Sequence, residues 1–95
     1  MREPLLPSWA ARVSRADSLA LLDRLMNDWY DGVKADRGLR ATVGFEENME
    51  RRDWEGAKGS IERTFGRSSR EHQSTLDTLA AAILSKKLLG RGLAG

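Results

Sequence analysis

Leu19, Leu22, Leu25, Met26, Trp29, Tyr30 and Val33 recur at helical spacing, and at 100° per residue they project onto one arc of roughly 140°. They predict an amphipathic helix over residues 15–33. Ser14, with Asp17 three positions on, reads as a capping box at its start, and Gly32 followed by the charged stretch Lys34 to Arg40 reads as its stop. A short helical turn over Ser8 to Val13, anchored by Trp9, precedes it.

The second apolar pattern covers 44–65 and does not stay straight. Phe45 and Met49 share one direction, whereas Trp54, Ala57, Ile61 and Phe65 point about 120° away on an ideal helix. A kink or break reconciles the halves. Its expected place is Gly56-Ala57-Lys58-Gly59-Ser60, where each glycine costs about 1 kcal/mol of helix propensity relative to alanine.

Gly66 closes that helix, and Ser68-Ser69-Arg70-Glu71 reads as a capping box for a third over 69–89, with Lys86 and Lys87 near its negative end and Gly90 as its stop. Leu76, Leu79, Ala80, Ile83, Leu84 and Leu88 cover nearly half its circumference. So broad a stripe suits a central helix packed on both others, or one that also makes a dimer contact.

These elements give an all-α, three-helix bundle with a bent second helix, self-associating through the third. The chain divides into an N-terminal arm (1–13), one helical domain (14–90) and a flexible tail (91–95). Composition agrees: Val and Ile together number five, against 13 Leu and 11 Ala.

Ninety-five residues make one small domain. With no cysteine there is no disulfide, thiol catalysis or Cys-based zinc site, and one histidine, His72, rules out a multi-histidine metal site within one chain. No apolar run approaches the ~20 residues of a membrane span. Arg2, Glu3, Pro4 and Pro7 interrupt the start, so no export signal is read and a cytoplasmic location is expected.

The net charge of +2 is unevenly spread: +1 over 1–43, −2 over 44–66 and +3 over 67–95. Within the basic third, Ile61 to Leu76 resembles a helix-turn-helix, with Gly66 at the turn. Arg67, Arg70, His72, Gln73, Lys86 and Lys87 are the residues that would meet nucleic acid. The apolar pattern disagrees, because Glu62, Arg67 and His72 stand where that motif needs small or apolar residues. A plain inter-helix turn accounts for the same segment.

Catalytic motifs fare worse. Arg40 and Arg52-Asp53 are spaced similarly to the basic and acidic residues of the all-helical chorismate mutases, but Met49 replaces that family's acid. Ser69 and Gln73 lie at the wrong end of the third helix. Gly56 to Ser60 lacks the register of a phosphate loop. The acid pairs Glu46/Glu50 and Glu50/Asp53 have arginine close by and read as a solvated face. His72 stands beside Glu71 with no nucleophile in view. No cofactor or metal is called for.

What remains is recognition by surface. Trp54, ringed by Arg51, Arg52, Asp53 and Glu55, has the anatomy of an interface anchor, although packing as core against the bend is the competing reading. Trp9, Leu84 and Leu88 complete the candidate interface with Arg51 and Arg52, while Trp29 and Tyr30 read as core. The stretch from Met49 through Arg52-Asp53-Trp54 to Arg63 is similar to helical regulatory segments of much larger proteins such as isocitrate dehydrogenase kinase/phosphatase, over a span too short to transfer any residue's role. The sequence therefore points to a non-catalytic adaptor, inhibitor, regulatory subunit or assembly chaperone that binds a larger protein. The alternative is a small nucleic-acid-binding protein.

Overall fold

The computed structural model describes residues 8–67 and 69–94, and among them every regular element is a helix. There are six: α1 (Trp9–Ser14), α2 (Leu19–Val33), α3 (Arg37–Arg40), α4 (Phe45–Glu50), α5 (Trp54–Phe65) and α6 (Gln73–Ala94). The count exceeds three because side-chain caps start α1, α2, α3 and α5 separately, and Gly44, at φ +88°, starts α4. Ser18 rather than Ser14 starts α2, its hydroxyl accepting from the Leu21 amide at 3.1 Å; Ser14 instead ends α1, which Ser8 caps in the same way. Asp36 caps α3, a single turn inside the charged stretch, and buries Leu39.

The second predicted helix is broken, but not at its glycines. α5 runs unbroken through Gly56 and Gly59; the break lies at Arg51–Asp53, where Arg52 takes φ +57°, a left-handed conformation that side chains other than glycine rarely adopt. Asp53 then restarts the chain as a cap, accepting from the Gly56 amide at 2.9 Å. This corner produces the rotation between the Phe45/Met49 and Trp54/Ala57/Ile61 directions, and all five of those side chains are buried.

Gly66, at φ +90°, ends α5. Ser68 lies outside the described residues, as does the arm over 1–7. α6 starts at Gln73, later than the capping box at 68–71 suggests, with the His72 carbonyl accepting from the Leu76 amide at 2.9 Å. At its other end α6 continues through Gly90 to Ala94, where a tail was expected from Arg91. Leu89 packs on the core one residue before Gly90, and such contacts offset the propensity cost of glycine in this last stretch, which holds Gly90 and Gly92.

α6 is the axis of the fold, packing against α1, α2 and α5, while α4 packs on α5. The molecule measures 43 × 38 × 23 Å, so it is about two helix diameters thick. The core is built from Val13, Leu22, Met26, Trp29, Leu39, Phe45, Met49, Trp54, Ala57, Ile61, Leu76, Leu79 and Ala82.

One buried hydrogen bond ties the ends of the chain: the Ser85 hydroxyl donates to the Val13 carbonyl at 2.9 Å. Ser85→Ala removes the bond across the fold, although the Ala16 amide still donates to the same carbonyl at 3.2 Å, and is expected to lower the unfolding free energy by about 0.5–1.5 kcal/mol. Urea titration measures this, and an unchanged midpoint would show that the α1–α6 contact does not depend on the bond.

Candidate functional site

Three adjoining recesses form a groove where α2, α5 and α6 meet. The first is lined by Leu19, Asp23, Arg52, Trp54 and Lys86. The second, of about 310 Å³, shares Trp54 and Lys86 and adds Asp53, Glu55, Ile83 and Lys87. The third shares Ile83 and Lys87 and adds Lys58, Ala80 and Leu84. An apolar path from Leu19 through Trp54 and Ile83 to Leu84 is thus bordered by charged side chains.

Most of those charges are matched. Arg52 reaches Asp23 across the α2–α5 corner at 3.5 Å, Lys87 reaches Glu55 at 3.8 Å, and Lys58 holds Glu62 at 2.9 Å. The hydrogen bond from Lys58, with its charge, keeps the Glu62 carboxyl below the usual carboxylate range. Lys86 differs: its ammonium lies 5.5 Å from the centroid of the Trp54 ring and makes no ion pair among the described residues.

The groove gathers Trp54, Arg52, Leu84, Lys86 and Lys87 from the candidates named by the sequence. Leu88 lies one turn beyond Leu84 on α6 and is 56% exposed. Trp54 requires a correction as a contact residue: at 4% exposure it belongs to the core, because the chain reversal at Arg52 turns the start of α5 inward, and only its margin borders the groove. Arg51 is exposed, while Trp9 is half-buried on α1 under the Arg12 guanidinium, 4.0 Å from its ring centroid; neither lines the groove. Periodicity does not mark Leu19 and Ile83 as groove residues, since both read as parts of core stripes.

The nucleic-acid candidates are not brought together. His72 is 6% exposed and stacks on Phe65 with ring centroids 4.0 Å apart, so it cannot present an edge to a base; the aromatic partner at the end of α5 draws it inward. The Gln73 amide is engaged with Asp77 at 2.8 Å. Arg67 and Arg70 are exposed in the turn, whereas Lys86 and Lys87 lie in the groove.

A separate recess of about 380 Å³ is lined by Tyr30, Lys34, Ala35, Leu39, Arg40, Phe45 and Glu46. Burial, and then Glu46 and Glu50, push the Tyr30 phenol above its ordinary pKa, so at neutral pH it is a hydrogen-bond donor and not a nucleophile. Lys34 is raised by its hydrogen bond to Asp31, which keeps it protonated. Among the described residues no group of three or more His, Asp or Glu side chains is placed to hold a metal ion. No protein-family model, curated protein or solved structure matches this chain.

Proposed function

We propose that this chain is a non-catalytic interaction module whose groove between α2, α5 and α6 takes a segment of a larger protein. The observation that carries the reading is the apolar path from Leu19 through Ile83 to Leu84, with Lys86 its one border cation lacking a carboxylate partner among the described residues. A segment that seats an apolar side chain over Ile83 and Trp54 while offering a carboxylate to Lys86 fits both features. Charge pairing elsewhere along the walls leaves little net field, so apolar burial supplies most of the affinity. Nucleic-acid binding, by contrast, would fall steeply with added salt.

Affinity capture from the native lysate, at roughly physiological salt, with and without nuclease, tests this. One stoichiometric protein is expected to remain on the wild-type chain, to bind Lys86→Glu at least tenfold more weakly, and to bind the Arg67→Ala/Arg70→Ala double variant normally. Capture that disappears with nuclease, or that follows Arg67 and Arg70 instead, supports the nucleic-acid reading and defeats this one.

A further inference from the structure

We infer that α6 pairs, antiparallel, with α6 of a second copy of this chain. Asp77, Ala80, Leu84, Leu88 and Arg91 are all exposed, the two leucines at 57% and 56%. On a helix with about 100° between residues these five fall within roughly 80° of one another. Leu79, Ala82 and Ser85, on the opposite side, are buried. The stripe spans fourteen residue steps, about 21 Å.

The stripe is complementary to itself. A twofold axis through Leu84, perpendicular to the helix, sets residues equally far from Leu84 opposite one another. Asp77 and Arg91 each lie seven positions away, and Ala80 and Leu88 each lie four. Each aspartate then meets an arginine, each Leu88 packs over an alanine, and Leu84 meets its own copy. Gln73 occupies one carboxylate oxygen of Asp77, Oδ1, leaving Oδ2 for the arginine. A parallel pair would instead set Asp77 on Asp77 and Arg91 on Arg91, two like-charge contacts. Sliding the antiparallel pair to match Leu84 with Leu88 places Arg91 opposite Ala81 and loses both ion pairs.

Five side chains from each copy cover less than the ~1,200 Å² of a standard interface, so the dimer is weak and concentration-dependent. It shares Ala80 and Leu84 with the groove, so a second copy would cover that end of it, while Trp54 and Lys86 lie outside the stripe and the association itself is tested without any other protein present.

Sedimentation equilibrium of the full chain from about 10 μM to about 1 mM, a range suited to weak interfaces, tests it. The wild-type mass is expected to climb toward twice that of the monomer. Asp77→Arg and Arg91→Asp, each of which creates two like-charge contacts, are expected to weaken association at least tenfold. The double variant Asp77→Arg/Arg91→Asp re-forms both ion pairs and regains association, while Arg67→Asp, off the stripe, associates like wild type. Circular dichroism is expected to show wild-type helicity in all the variants, as their exposed positions imply. A wild-type chain that stays monomeric at 1 mM overturns the inference, as do single variants that associate normally or a double variant that does not recover.

Discussion

Trp54→Ala is expected to lower the unfolding free energy by about 3–5 kcal/mol. The ring opens α5, is 4% exposed, and lies on the same side of that helix as the fully buried Ala57 and Ile61. Truncation removes one of the largest side chains in the core and the ring over which Lys86 sits. A chain of this length has roughly 5–14 kcal/mol in all, so the variant is left with a small part of its stability. Urea unfolding followed by far-ultraviolet circular dichroism measures the loss. Val43→Ala, at a position 87% exposed, serves as the comparison and is expected to change stability by no more than about 0.5 kcal/mol. A Trp54→Ala loss below about 1 kcal/mol would return this residue to the surface, as a contact in its own right.

The second large effect is a reversal of sign between two glycines of one helix. Propensity alone makes either substitution by alanine favourable by about 1 kcal/mol. At Gly56, however, an added Cβ would stand 2.7 Å from Asp53 Oδ2 and 2.8 Å from Asn48 Oδ1. Neither neighbour is free to withdraw. Asp53 caps α5, and the Asn48 amide donates to Ser60 Oγ at 3.3 Å, joining α4 to α5. Gly56→Ala is therefore expected to destabilise by about 1–3 kcal/mol. At Gly59 the Cβ would meet only Arg63 Nη1, at 3.2 Å, the end of a flexible and exposed side chain. Gly59→Ala is expected to stabilise by about 0.5–1 kcal/mol. Thermal unfolding of the two variants side by side reads the difference, and stabilisation by both would contradict the packed corner between α4 and α5.

That corner also shows what the sequence could and could not disclose. The rotated stripe was a sound sign that 44–65 is not one straight helix, because side-chain direction follows from periodicity alone. Its location was misread because glycine propensity is a weak local preference. Gly56 is in fact required where the side chains of Asp53 and Asn48 crowd, and an arginine at φ +57° carries no compositional signature. The usable signal was Asp53 itself, a capping residue directly before Trp54. Asp36 was the same kind of signal for α3, hidden in a charged stretch with Leu39 its one large apolar residue.

The core stripe of α2 was legible because Leu22, Met26 and Trp29 repeat at helical spacing, and all three are buried. The buried hydroxyls were not. Thr42, Ser60 and Thr78 each donate to a carbonyl four residues earlier, and Ser85 reaches Val13 across the fold, so their burial depends on partners that a linear pattern does not display. The groove was half legible for the same reason. Leu84, Lys86 and Lys87 stood out on α6, but Leu19 joins them only through the packing of α2 against α6.

The claim that this groove receives a protein segment is tested most directly by placing a photoreactive lysine analogue, which keeps the ammonium, at the position of Lys86, and separately a photoreactive side chain at that of Arg67, and irradiating each in the native lysate. The groove position is expected to form a covalent adduct with one protein larger than this chain, and the turn position none. Adducts to nucleic acid from the Arg67 position, with none to protein from the Lys86 position, would contradict the account.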